Sequence, residues 1–442
     1  MKKSIALLAG VAAAALTFAP VHARASNNSA SAPPPPAAAS DPRVDELSQR
    51  VDALEQELQE SEMRQAADHE KVDSWKPLSG WWDDTSISGR MYYDIASIEN
   101  KNNGSRGKNN NGVGFDIKRF YVGIDHKFDE IFSANITTDF LYDSPTGTTN
   151  AVDATGNPAT LTVSGSNATQ IYIKKAYLQA KLSDAFIIRL GSADLPWIPY
   201  VEDVYGYRYV ENTLIDRVKF GTSADWGVHV LGKLYDGLIA YQFSAINGGG
   251  YKKPGFIGMV NHTKRIDFEG RVSLNYQGFQ LAVGGYDGAL GVTGATLTNH
   301  TATRVDALGA YTGKLADHDV RLGFEYFTAS NFTQVTSPTS SHGWGYGPFA
   351  SIEIVPEWAL FGRFDHVKPY SDAARNTFTN DYYNVGVSWS PAKIVDFALV
   401  YKHDAGYAGV FSDQNGTIGG TAFAPGNGGA DNEIGLWGQF RW

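Results

Sequence analysis

Asp267, Glu269 and Arg271 occupy alternate positions of one short segment, and Arg363 and Asp365 repeat that spacing further along the chain. Side chains two apart in an extended chain share a face, so each group could act on a single solute. A carboxylate pair can do general acid–base work when a dry site keeps one member neutral. On a wholly polar, wetted face the same charges only bias which ions pass. The neighbouring residues decide for the second reading. Over 266–277, Ile266, Phe268, Gly270, Val272, Leu274 and Tyr276 alternate with Asp267, Glu269, Arg271, Ser273, Asn275 and Gln277. Such a strand has hydrocarbon on one side and water on the other. The chain carries no G-x-S-x-G elbow, no P-loop and no G-x-G-x-x-G opening a helix, so no catalytic residue is expected.

The same parity puts Arg119, Lys175, Arg189, Arg363 and Asp365 on the water side with Asp267, Glu269 and Arg271. Rings of bases select anions and rings of acids select cations; this wall carries both, and selectivity stays open between phosphate, other anions, cations and sugars. A second concentration of chemistry lies in a loop: Pro196, Trp197, Ile198, Pro199 and Tyr200, then Glu202, Asp203, Tyr205, Tyr207, Arg208, Tyr209, Glu211, Asp216 and Arg217. It is too aromatic and too charged for a surface linker. The expectation is that it folds inward as a constriction, its carboxylates facing wall arginines and its tyrosines stacking on a sugar-like solute. The plainer alternative is that these aromatics pack the loop against the wall or a neighbouring subunit. With no cysteine and ten scattered histidines, neither a metal site nor a cofactor is expected.

The elements that must position these residues follow a period of two. Strands are expected at 86–99, 115–128, 132–142, 170–183, 186–195, 218–234, 238–248, 266–277, 279–290, 303–314, 319–330, 343–356, 358–369, 382–391, 395–406 and 432–442. The total of sixteen is even, as single-chain bacterial barrels require, and most segments approach the 9–11 residues that cross a membrane at a tilt. Connections after even-numbered strands are short (129–131, 184–185, 278, 357), and those after odd-numbered strands are mostly long and rich in Gly, Asn and Ser. Short turns face the periplasm and long loops the outside. The fold class is therefore all-β, a 16-stranded antiparallel transmembrane barrel over 86–442 with an aqueous interior.

Ahead of the barrel, Lys2 and Lys3 precede an apolar run from Ile5 to Phe18, and Ala23-Arg24-Ala25 supplies small residues for cleavage, so 1–25 reads as a secretory signal. The run is shorter than the roughly 20 residues that span a bilayer. Residues 26–40 form a Pro/Ala/Ser-rich linker. In 41–75, Val44, Leu47, Val51, Leu54 and Leu58 recur at steps of 3 and 4, a heptad seam capped by Asp41 and Pro42. This reads as a short periplasmic coiled coil tying subunits together, against the alternative of a solvated amphipathic helix. The chain is 43% hydrophobic yet negative in mean hydropathy, so its apolar residues face something other than a globular core. Losing Lys2, Lys3 and Arg24 with no acid takes the formal charge from −10 to −13, which argues against nucleic acid as a partner.

The chain resembles the phosphate-selective porin O and P family of Gram-negative outer-membrane porins. The resemblance rests on the heptad segment from Asp41 to Leu54, the phrases Ile117-Lys-Arg-Phe-Tyr-Val-Gly and Ile173-Lys-Lys-Ala-Tyr-Leu-Gln-Ala, Ile188-Arg-Leu-Gly followed by Pro196, and the terminal Trp442. It implies a homotrimer of sixteen-stranded barrels in outer-membrane lipid, inserted by the outer-membrane barrel machinery through the strand ending in Trp442. It also implies a channel for passive diffusion of small polar solutes. A phosphate-selective pore should be strongly basic, whereas here acids outnumber bases. Two other classes remain to be separated from a porin: a barrel-anchored receptor or adhesin using the long loops, and a cell-wall tether using 41–75.

Overall fold

The protein was analysed as a computed structural model, which describes residues 82–102, 105–106, 111–143, 146–152, 158–164, 168–252, 265–292, 300–332, 335–370, 377–419 and 428–442. The segments read as signal, linker and coiled coil lie outside the described residues.

Sixteen strands form one closed antiparallel barrel: β1 (Thr85–Asn102), β2 (Gly112–Lys127), β3 (Phe132–Asp143), β4 (Ala168–Ser183), β5 (Phe186–Asp194), β6 (Ala224–Leu234), β7 (Ile239–Ile246), β8 (Asp267–Tyr276), β9 (Phe279–Gly288), β10 (Ala302–Leu315), β11 (His318–Ser330), β12 (His342–Val355), β13 (Trp358–Lys368), β14 (Thr379–Ala392), β15 (Val395–Tyr407) and β16 (Gly429–Arg441). Each strand pairs with its neighbours in sequence. Arg90 in β1 lies opposite both Tyr121 of β2 and Arg441 of β16, which closes the ring. Closure leaves no edge with unpaired backbone groups, a requirement inside hydrocarbon.

Alternation sorts the side chains as the sequence implies. In β8, Asp267, Glu269, Arg271 and Ser273 are buried, while Phe268, Val272 and Leu274 are exposed. Ile136, Phe268, Leu281, Val305, Val385 and Leu399 are all exposed around the outside. An apolar belt this continuous does not persist in water and marks a membrane-spanning surface. Outward rings stack near the short turns (Trp358 on Trp389, centroids 5.6 Å apart) and again toward the opposite rim (Trp344 on Tyr346, 6.3 Å), as interfacial girdles do.

Two of the short turns are tight because both central residues take positive φ, Ala316 (49°) with Asp317 (69°) and Gln277 (47°) with Gly278 (83°). That is the primed turn whose twist matches antiparallel strands. At Gly278 a Cβ would also stand 2.4 Å from the Thr312 carbonyl oxygen. One boundary differs materially from expectation: β6 begins at Ala224, not at 218. Val218 and Phe220 alternate like a strand because both are buried inside the barrel, against neighbours other than strand partners.

Candidate functional site: the lumen and its inward loop

Residues 195–223 leave β5 and return to β6 through a closed neck, where the Leu195 N–H donates to the Ser223 carbonyl at 2.9 Å. Between these points the chain crosses the barrel interior. It forms helix α1 (Ile198–Tyr205), with Pro199 in its first turn and Gly206 (φ 78°) closing its C-terminus, and the single turn α2 (Leu214–Arg217). Ile198, Val201, Val204 and Tyr205 make one buried face of α1 and pack with Leu214, Ile215 and Phe220 against the inward residues Ala282, Leu308, Phe327, Phe349 and Val367 of β9–β13. Apolar side chains aimed into an otherwise wet barrel need such a cover.

Polar anchors complete the attachment. Arg217 is fully buried and donates to Asp365 (2.9 Å), Asp404 (3.0 Å), Asp413 (3.1 Å) and Asn380 (3.0 Å). Asp413 belongs to a small hairpin (Val410–Asp413 with Gly416–Gly419) in the loop after β15, so one guanidinium ties that loop, the three wall strands β13, β14 and β15 and the inward loop together. Arg363 donates to Asp365 at 2.7 Å and to the Asn212 carbonyl at 2.5 Å. Arg271 donates to the Pro196 carbonyl at 2.7 Å, with its guanidinium 4.0 Å from the Tyr200 ring centroid. Glu325 accepts from the Trp197 indole at 2.9 Å, and Glu269 accepts from the Trp197 amide at 3.3 Å while facing Arg304 at 3.3 Å. Lys402 meets Glu211 at 3.3 Å. Burial would raise the Glu211 carboxyl, but Lys402 and Lys118 outweigh it and hold it well below the usual range.

Several sequence-derived site residues are therefore inward yet not wetted. Asp267 is fully buried, accepting from the Tyr286 hydroxyl (2.5 Å) and the Ala289 amide (2.7 Å); it organises the loop after β9. Glu269, Arg271, Arg363 and Asp365 hold the inward loop. The loop tyrosines make protein contacts: Tyr205 and Tyr209 are buried, Tyr200 covers Arg271, and Tyr207 stacks on Phe361 with centroids 4.1 Å apart. These contacts match the packing alternative, with Tyr200 and Tyr207 only half-buried and Tyr207 bordering a second cavity.

The opposite wall, β1–β5, is different. A cavity of about 500 Å³ separates it from the loop, lined on the wall side by Arg90, Tyr121, Lys174, Lys175 and Tyr177 and on the loop side by Glu202, Asp203 and Arg208. Arg119 pairs with Asp139 at 3.0 Å, Lys175 with Asp194 at 2.6 Å, and Arg208 with Glu202 at 2.6 Å. Arg189 donates to Gln179 at 2.9 Å and lies over Tyr177. Asp203 is exposed to this cavity; partial burial and then Glu202 raise its carboxyl above the usual range.

Lys118 and Lys174 are the residues that strict alternation misses. Register slips at each, with Tyr92 and Tyr93 of β1 opposite Arg119 and Ile117, and Thr137 and Thr138 of β3 opposite Lys175 and Ile173. A bulge puts two successive residues on one face, so both basic pairs point inward. Lys118 donates to the Val210 carbonyl at 3.3 Å, and Lys174 sits 4.7 Å from the Tyr121 ring centroid. The sequence signal was the pair of consecutive bases, which an alternating membrane strand tolerates only where both can avoid lipid. Arg304, Lys402 and Asp404 were legible by parity and were overlooked.

No family model and no curated protein matches this sequence. In solved structures the chain resembles an anion-selective porin from Comamonas acidovorans, at 9% identity and a TM-score of 0.54 over 81% of this chain and 99% of that one. It also resembles the outer-membrane channel DcaP of Acinetobacter baumannii, at 11% identity and a TM-score of 0.50 over 81% and 97%. At such identities the likeness concerns architecture, and the fold of this chain is that of an outer-membrane porin barrel.

Proposed function

We propose that the protein is a bacterial outer-membrane porin, a water-filled channel for passive diffusion of small hydrophilic solutes or ions, with 196–217 as its constriction and no enzymatic step. The observation that carries this is the uneven filling of the lumen: the loop packs on β8–β16 and leaves a polar gap of about 500 Å³ along β1–β5, with a second of about 400 Å³ beside Tyr207 along β10–β14. In this reading residues 1–25 direct export, 41–75 form a periplasmic coiled coil that joins three barrels, and the strand ending in Trp442 is read by the insertion machinery. The resemblance to phosphate-selective porins keeps anions among the candidate solutes. The mixed signs lining the gap, five bases and four acids counting Arg441 and Asp125, favour weak selectivity instead.

Stable, stepwise ohmic conductance of the purified protein in a planar bilayer is the expected result; its absence would favour the receptor or tether reading. Deleting 200–211 should raise single-channel conductance, and an unchanged value would remove the constriction role.

A further inference from the structure

The charges lining the 500 Å³ gap can be sorted by whether they already have a partner. Lys175 and Asp194 neutralise each other at 2.6 Å, as do Arg208 and Glu202. Arg441 is held by Asp396 at 2.6 Å, and Asp125 accepts from Asn135 at 2.7 Å. Three charges remain. Among the described residues none of these three has an ion pair within 4 Å: Arg90 hydrogen-bonds the Tyr92 hydroxyl (3.2 Å), Lys174 lies over the Tyr121 ring, and the Asp203 carboxylate faces Arg90 only at longer range. The two bases stand on the barrel wall and the acid on the loop across the gap.

We infer that this gap is a binding site for zwitterionic solutes, amino acids or short peptides, whose carboxylate faces Arg90 and Lys174 and whose ammonium group faces Asp203. The inference rests on the porin reading and names the solute class of that same gap. A plain anion such as phosphate satisfies the two bases but sets a like charge against Asp203 and Glu202. A neutral sugar can hydrogen-bond these groups but neutralises none of them, and a simple cation meets two wall bases. Only a solute carrying both signs neutralises every one of these charges at once. The volume of about 500 Å³ lies within the roughly 300–1,000 Å³ of ordinary ligand sites, so a dipeptide has room. Lys174 reaches the gap solely because of the β4 bulge, so the backbone irregularity supplies one of the three groups.

The test uses the intact protein in a planar bilayer, with interruptions of single-channel KCl current as the readout. Alanylalanine is compared with its N-acetyl derivative, which keeps only the negative charge, and with its methyl ester, which keeps only the positive one. Alanylalanine should interrupt the current about threefold more often than either, the scale of one charged contact at a wetted surface, and the frequency should saturate with concentration. Asp203→Asn should reduce it to the level of the N-acetyl compound, and Lys174→Met toward that of the methyl ester. Equal frequencies for the three compounds, no interruptions at all, or a maximum for the N-acetyl compound or for inorganic phosphate would overturn the site while leaving the porin intact. Absence of any KCl conductance would overturn the porin reading and this inference with it.

Discussion

The two sides of the barrel wall obey one alternation rule and meet opposite fates. Along β8–β16 the inward charges are taken up by a folded piece of the same chain: Arg217 among Asp365, Asp404 and Asp413, Arg271 under Tyr200, and Glu269 and Glu325 at Trp197. Along β1–β5 the inward charges border a gap, and Arg90 and Lys174 keep their valence free. The lesson is that facing inward is a property of strand parity, whereas lining the passage is a property of what else enters the barrel.

The strongest attempt to break this contrast removes the Arg217 anchor. Arg217→Met leaves the buried Asp404 and Asp413 without their cation, Asp365 keeping Arg363, and loss of one partner of a buried ion network costs about 3–5 kcal/mol. The barrel ladder is untouched, so the expected result is a released loop: higher and noisier single-channel conductance, with hydrogen exchange accelerated in 198–217. Quiet, unaltered current would show that the apolar face of α1 holds the loop alone. Trp197→Phe is the next largest. It leaves Glu325 buried without its indole donor, which costs about 1–3 kcal/mol, and should lower the thermal stability of the loop while strand content by circular dichroism stays constant.

The two bulge lysines sharpen the comparison, since they differ only in which side they serve. Lys174→Gln removes a free charge from the gap and should shift the KCl reversal potential toward cations. Lys118→Gln replaces a loop tether behind Glu211 and should move that potential less. The reverse order would place the passage elsewhere. The smallest effect concerns pH. The Asp203 carboxyl is raised by burial and then by Glu202, so as pH falls it loses its charge before an ordinary carboxylate does, whereas Glu211, held low by Lys402 and Lys118, stays ionised. Acidification from neutrality should therefore make the loop side of the gap less negative and raise anion preference. Asp203→Asn should show that preference already at neutral pH and a flatter response.

Much of this architecture could be read from residue order. The split of 266–277 into apolar and polar faces announced β8, and the regular sequence of short and long connections announced the ring of hairpins. The length, aromatics and charge of 196–217 singled out the inward loop. Other features escaped. Val218 and Phe220 imitate a strand because burial inside a barrel and burial in a membrane select the same side chains. Lys118 and Lys174 break parity through a one-residue slip, which depends on the partner strand's register and leaves only a doubled base in the sequence. The apolar inward positions Leu308, Phe327 and Phe349 were a signal that something must cover them.

Residue order by itself determined that this chain closes into a sixteen-stranded barrel, because period-two patterning decides which solvent each side chain meets and needs only neighbouring residues to do so. Which inward charges remain free was decided only in three dimensions. The partners of Arg217 and Trp197 come from strands far away in sequence, and an ion pair neutralises a charge through distance in space, which local spacing does not encode.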